Sequence, residues 1–253
     1  MIKHSILLIG QSNAAGRGFK EEVEPIINSR ITVLRNGRWW PMYVPVNPDR
    51  VTSGISLVES FADLYSKEKN VDVGIIPCAD GGTSLEQWEV GGVLFDHACY
   101  MAELASRSST ICAVLWHQGE GDCADGLYQL YEQKFIKIMN AFREKLNLHD
   151  VPFLLGGLGD FLKFFERGEH LGRNYVHINN ALEKIANENP MTGFVSANGL
   201  TSNEDMLHFN AKSLREFGVR YYQKFITLED KNKVFIDKDE EFAVKKRSGL
   251  EHL

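Results

Sequence analysis

The sequence predicts an α/β fold, a parallel sheet with helices on both faces. Two observations carry this. Short apolar runs alternate with longer amphipathic stretches over most of the chain, which is how buried parallel strands and their helical crossovers read. Clusters of glycine and polar residues follow the apolar runs, where an open parallel sheet places its ligands.

Residues 5–9 form the first apolar run, closed by Gly10, and read as a buried strand. Residues 71–77, 111–116, 152–158 and 192–196 read the same way. Helical patterns separate them. Residues 57–67 place Leu57, Val58, Phe61, Ala62 and Tyr65 on one face. Residues 95–105, 127–146, 175–188 and 211–225 are also helical. Residues 31–40 interrupt the alternation. There Asn36-Gly37 between apolar flanks is a two-residue hairpin signal, read as an insertion after the first strand and outside the central sheet. Residues 159–173 are glycine-punctuated and carry Phe161, Phe164 and Phe165; a long rim segment of this kind suits either a lid or a surface loop. From residue 229 the chain is charge-dense. Residues 1–228 therefore read as one domain. Residues 229–253 read as a solvated appendage, with 234–236 as a candidate edge strand.

The 253 residues are 43% hydrophobic, ample for a single core. A net charge of −6 and a pI of about 5.8 argue against nucleic acid and against an anionic membrane surface. No apolar run approaches the roughly 20 residues of a membrane span. Residues 6–9 are too short a run for a secretory signal. Cys78, Cys99, Cys112 and Cys123 follow neither a metal spacing nor a CxxC pattern, and read as reduced thiols of a cytoplasmic protein. No His/Asp/Glu cluster has metal-ligand spacing, so no metal is expected.

Four strand ends carry the chemistry. After the first comes Gly10-Gln11-Ser12-Asn13. After the second comes Asp80-Gly81-Gly82-Thr83-Ser84. The third leads into His117-Gln118-Gly119-Glu120, and the fifth into Asp205-Met206-Leu207-His208. A serine hydroxyl is a weak nucleophile until a base takes its proton. Histidine is that base, and a carboxylate fixes its tautomer. Asp205 and His208 stand at i, i+3, so a helical turn would bring both to one side. Ser12 at a helix start would have backbone N–H groups nearby. The Ser12 N–H, an N–H at Gly81 or Gly82, and the Gln118 amide would then supply an oxyanion hole.

These blocks resemble those of the SGNH hydrolase superfamily. Within it they are most similar to the carbohydrate-esterase branch of sialate O-acetylesterases and carbohydrate esterase family 6 acetylxylan esterases. That branch opens on Gly-Gln-Ser-Asn, as at Gly10 to Asn13. Its glycine block is Gly-Gly-Thr with a later tryptophan, as at Gly81, Gly82, Thr83 and Trp88. Its third block is His-Gln-Gly-Glu, as at His117 to Glu120, and its last is Asp-x-x-His-Phe, as at Asp205 to Phe209. The resemblance implies a flavodoxin-like three-layer α/β/α sandwich with a parallel sheet of about five strands. It implies an acetylesterase acting on a small acetylated sugar or oligosaccharide through an acetyl-serine, with no cofactor. It also implies that Gln118 holds the place of asparagine in other members. Ala14 stands where the branch usually has Met, which bears on pocket shape.

Other readings of the same residues exist. Ser12 alone suits a helix cap. A phosphate loop at Gly10 fails, because the spacing to Gly16 is too long and Arg17 replaces the Lys-Ser/Thr pair. Gly81-Gly82 alone suits an ordinary turn. His117 lies within the strand end and reads as structural, and Trp88 reads as core. Glu120 suits either bracing of Gln118 or the Ser12 loop, or a helix cap. The rival activities are a lipase or thioesterase of the same superfamily and a non-catalytic carbohydrate-binding protein on the same fold.

Overall fold

The computed structural model describes residues 3–166 and 169–248. Its strands are β1 (Lys3–Gly10), β2 (Ile31–Arg35), β3 (Arg38–Pro41), β4 (Val73–Pro77), β5 (Ser109–His117), β6 (Phe153–Gly156) and β7 (Thr192–Val195). They form one sheet in the order β3-β2-β4-β1-β5-β6-β7. Every neighbouring pair is parallel except β2 with β3. The strands read from the sequence run β4-β1-β5-β6-β7, a doubly wound order whose switch point falls at β1. Ile6, Leu7, Leu8 and Ile9 are fully buried, as a strand covered on both faces requires.

The helices are α1 (Ser12–Ala15), α2 (Leu57–Lys69), α3 (Val93–Ser106), α4 (Tyr131–Leu146), α5 (Glu169–Glu188) and α6 (Ala211–Ser248). A capping box starts α2: Ser56 accepts the Val58 N–H, and Glu59 returns to the Ser56 N–H. Asn70 and Asn147 end α2 and α4 in the left-handed conformation. One layer joins α2 to α6 through Phe61, Tyr222 and Phe225. On the other, Phe95 of α3 meets Phe142 of α4. Trp116 of β5 packs on Phe135 of α4. The result is a three-layer α/β/α sandwich.

Two expectations are corrected. The hairpin signal at Asn36-Gly37 marks a real hairpin, with both residues at positive φ, but it belongs to the central sheet. Ile31, Thr32 and Val33 pair with Val73, Gly74 and Ile75. The reason is burial: Ile31, Val33 and Leu34 are core residues, and they cover the β4 edge, which would otherwise be open. Gly74 leaves room for the Trp39 ring; a Cβ there would lie 2.4 Å from it. The sheet thus has seven strands, more than the five read from the sequence. The second correction is residues 234–236, which lie within α6 and not in a strand. Glu, Asp and Lys dominate this segment, and three apolar residues impose no two-residue period. The boundary between 228 and 229 falls inside the same helix. Residues 249–253 of the charged segment, and 167–168 of the aromatic one, lie outside the described residues.

Among the described residues no helix is long and apolar enough to cross a membrane. All four cysteines are free.

Candidate active site

The site begins where β1 touches β5. Gly10 has φ +126°, and a Cβ there would sit 2.1 Å from the His117 carbonyl oxygen. Only glycine allows that approach. The Gln11 N–H then donates to the His117 carbonyl at 2.9 Å, and Ser12 opens the single turn of α1. The Ala14 and Ala15 N–H groups return to the Gln11 carbonyl. Among the described residues the Ser12 and Asn13 N–H groups have no backbone acceptor.

His208 arrives on the long loop after β7. Asp205 shapes that loop: its Oδ1 accepts the Leu207 and His208 N–H groups, each at 2.9 Å, while Met206 takes φ +53°. This is an Asx-type turn, not the helical turn expected from the i, i+3 spacing. The left-handed Met206 breaks the helical path. Asp205 Oδ2 lies 2.6 Å from His208 Nδ1, and His208 Nε2 lies 3.0 Å from Ser12 Oγ. A carboxylate at Nδ1 selects the tautomer protonated there and leaves Nε2 to accept from the hydroxyl. Burial opposes ionisation of Asp205. The His208 ring and the two backbone N–H groups outweigh it and hold the carboxyl down to about 2.

The neighbours of Ser12 tie these loops together. Asn13 Oδ1 accepts the Phe209 N–H at 3.0 Å, and its Nδ2 donates to the Leu207 carbonyl at 3.2 Å. The same Nδ2 donates to Glu120 Oε1 at 2.5 Å, so Glu120 braces the Ser12 turn. Gln11 Oε1 accepts from the Gly119 and Gly121 N–H groups at 3.4 and 3.2 Å. Gln11 and Asn13 therefore hold the β5 loop and the histidine loop around the serine between them.

The glycine turn lies against Ser12, since a Cβ on Gly81 would fall 3.4 Å from Ser12 Cβ. The Gly81 N–H is engaged, donating to Asp49 Oδ2 at 2.8 Å. Gly82, at φ +77°, has no such acceptor among the described residues. Below the turn, fully buried Trp88 donates to Thr83 Oγ1, so Trp88 is a core residue.

Gln118 is placed differently from its expected role. It is fully buried. Its Nε2 donates to Asp122 Oδ2 at 2.5 Å and to the Thr83 carbonyl at 3.2 Å. Both amide hydrogens are thus engaged within the loops and neither is free for an oxyanion. Asp122, which also accepts the Leu85 N–H, draws the amide inward. His117 is likewise buried, with Nε2 against the Gly157 carbonyl at 3.2 Å. Burial lowers its pKa, against the opposing charge of Glu120, so its place is structural.

The sequence reading missed Arg17, Asp49 and Arg50. Arg17 forks onto Asp49 at 3.0 and 2.7 Å in a pair that is almost wholly buried. Burial opposes ionisation of Asp49, but Arg17, Ser53 and the Gly81 N–H together lower its pKa. The sequence signal for Arg17 is its place directly after the Ser12 turn. Asp49 and Arg50 lie in a loop with no motif.

The aromatic segment divides in two. Phe161 is core, edge-on to Phe209 at 4.9 Å. Phe164 is exposed. Residues 164–166 and 204–208, His208 among them, line a cleft of about 870 Å3.

The model of the family described as "carbohydrate esterase, sialic acid-specific acetylesterase" matches residues 3–227. An Arabidopsis thaliana protein named as a probable carbohydrate esterase is 26% identical over 245 residues, covering 87% of this chain and 89% of its own. The X-ray structure of the same Arabidopsis thaliana protein superposes with a TM-score of 0.79 at 26% identity, covering 90% of this chain and 99% of that one. The structure of NanS gives 0.72 at 17% identity, with coverage of 90% and 98%. A carbohydrate acetylesterase from Xanthomonas citri gives 0.64 at 18% identity, with coverage of 90% and 56%. The last two likenesses speak to the fold. The chain therefore belongs to the carbohydrate esterase family of sialic acid-specific acetylesterases, carboxylic ester hydrolases acting on carbohydrate acetyl groups.

Proposed function

We propose that the protein removes O-acetyl groups from an acetylated sugar through an acetyl-Ser12 intermediate. The observation that carries this is the relay from Asp205 to His208 at 2.6 Å and from His208 to Ser12 Oγ at 3.0 Å. His208 Nε2 takes the hydroxyl proton as Ser12 Oγ attacks the acetyl carbonyl. Asp205 holds the ring and stabilises the imidazolium. The tetrahedral oxyanion is met by the Ser12 and Gly82 N–H groups, each such donor contributing about 3 kcal/mol. The carbon–oxygen bond to the sugar breaks, and the departing alkoxide takes the proton from His208. Water, deprotonated by the same ring, then frees acetate and restores Ser12. Gln118 and Asp122 brace the hole without entering it.

The family match and the Arabidopsis relative support an acetylated sugar as substrate, of the acetylxylan or the sialic-acid type. We also propose a cytoplasmic location, which four free thiols support; cell fractionation checks it. The central test is Ser12→Ala, together with labelling by a fluorophosphonate and acetate release from acetylated xylose and sialic acid. Loss of all three activities in the variant is expected. Wild-type hydrolysis of p-nitrophenyl acetate by Ser12→Ala would end the proposal.

A further inference from the structure

Asp49 and Arg50 are neighbours in the chain, and both bind the turn that carries Gly82. Asp49 Oδ2 accepts the Gly81 N–H at 2.8 Å. Arg50 Nη2 donates to the Gly81 carbonyl at 2.9 Å. Both polar groups of one glycine are thus held, each by a different residue.

The consequence follows from peptide geometry. The Gly81–Gly82 peptide is planar and trans, so the Gly82 N–H points opposite to the Gly81 carbonyl. Fixing that carbonyl on Arg50 fixes the direction of the N–H. Two adjacent glycines would otherwise sample many directions. The anchors are themselves anchored. Arg17 and Ser53 hold the Asp49 carboxylate. Arg50 Nη1 donates to the Asp49 carbonyl at 2.8 Å and to Asp80 Oδ1 at 2.7 Å. The turn is seated on Ser12, as the 3.4 Å separation of a Gly81 Cβ from Ser12 Cβ records.

We propose that Asp49 and Arg50 are positioning residues for acyl transfer, locking the Gly81–Gly82 peptide so that the Gly82 N–H meets the oxyanion formed at Ser12. The proposal rests on the acetyl-Ser12 reading above. Neither residue touches the ester. Each acts through the backbone of the turn.

The two residues differ in a way that makes the test practical. The Asp49 side chain is 4% exposed and the Arg50 side chain 50% exposed. Asp49→Asn leaves Arg17 short of a buried counter-charge and threatens the fold. Arg50→Met keeps an unbranched apolar stem at a half-exposed position and removes the guanidinium, and with it the bonds to the Gly81 and Asp49 carbonyls and to Asp80. For Arg50→Met, kcat on p-nitrophenyl acetate is expected to fall about tenfold, less than the loss of a whole donor, with KM within about twofold. A boronic acid places a tetrahedral oxyanion on the serine, so its Ki should rise by the factor that kcat/KM falls. The melting temperature should stay near that of wild type. Arg50→Lys keeps the charge without the two-armed fork and should recover only part of the loss. Asp49→Asn, where it folds, should show the same kcat loss.

An unchanged kcat in Arg50→Met overturns the proposal. So does full recovery by Arg50→Lys, which would make charge the cause and not the peptide plane. A joint fall in melting temperature and kcat, with an unchanged boronic acid Ki, would reduce both residues to braces of the fold. Ser12→Ala run alongside separates the two levels. If it retains wild-type activity, the acetyl-Ser12 reading fails. If it is inactive while Arg50→Met is fully active, only the positioning proposal fails.

Discussion

Asn13 holds the backbone on both sides of His208. Its Oδ1 accepts the Phe209 N–H at 3.0 Å and its Nδ2 donates to the Leu207 carbonyl at 3.2 Å. Asn13 is also the residue after Ser12, so the Ser12 hydroxyl and the His208 ring are set by one short stretch of α1. Replacing Asn13 by Ala should leave two backbone groups without partners and cost about 1–3 kcal/mol of stability. The histidine loop would drift, and a small displacement costs on the order of tenfold or more in kcat. Thermal melting and steady-state kinetics on p-nitrophenyl acetate check both. A variant that melts early yet keeps full kcat would show that the clamp does not set the Ser12–His208 distance.

Asp205 predicts a particular pH dependence of stability. Its carboxyl pKa is about 2 in the folded chain and about 3.9 when unfolded. The folded state therefore binds the proton less readily. The resulting stabilisation is fully present above about pH 5, falls as the pH drops from about 4 to 2, and is gone below that. The side chain is 45% exposed, so solvent screening keeps the effect under about 1 kcal/mol. The melting difference between wild type and Asp205→Asn should shrink as the pH falls from about 5 towards about 2. A difference that stays level to pH 2.5 would contradict the assignment. Activity should respond far more, with kcat in Asp205→Asn down by about 10^2 to 10^4, as expected when the histidine tautomer is no longer held.

The parts legible in the sequence were those that chemistry restricts to few residue types. Ser12, Asp205 and His208 could be picked out as one cluster because few residue types form a serine–histidine–carboxylate relay and parallel sheets place such groups at strand ends; the fold brings the three within hydrogen-bond reach. The shape of the 205–208 turn was not legible, because i, i+3 spacing suits an Asx turn as well as a helix. The hairpin signal gave the turn but not its partner. Ile31, Val33 and Leu34 make β2 a sheet strand because their burial needs a partner on the β4 edge, which local turn chemistry at Asn36-Gly37 does not encode. Asp49 and Arg50 were invisible for a different reason. They reach Gly81 across about thirty positions of chain, and only folding brings them there.

Gln118 gives a prediction that the resemblance alone would have reversed. With Nε2 on Asp122 and on the Thr83 carbonyl, its removal breaks a loop brace and not an oxyanion contact. Gln118→Ala should lower stability by about 1–3 kcal/mol, since the buried Asp122 loses a donor. In a chain of this size that is roughly 2–4 °C of melting temperature per kcal/mol. The kcat loss should stay within about tenfold, well short of the hundredfold or more that removal of a true oxyanion donor causes. A hundredfold loss of kcat at unchanged melting temperature would return the side chain to the oxyanion hole.

The two glycines should respond oppositely to alanine. At Gly81 a Cβ would lie 2.5 Å from an Arg17 Nη2, 2.9 Å from Asp49 Oδ2 and 3.4 Å from Ser12 Cβ. None of these groups has room to retreat, because the Arg17–Asp49 pair is buried. Gly81→Ala should push the turn off Ser12 and remove nearly all activity. At Gly82 a Cβ meets nothing within 4 Å, and the cost is the left-handed φ of +77°, about 1–2 kcal/mol for a side chain. The Gly82 N–H survives the substitution, so Gly82→Ala should keep at least about a tenth of wild-type kcat. Kinetics on both variants, with melting curves to confirm folding, check the order. An active Gly81→Ala beside a dead, folded Gly82→Ala would place the turn's contribution elsewhere than in the backbone geometry described.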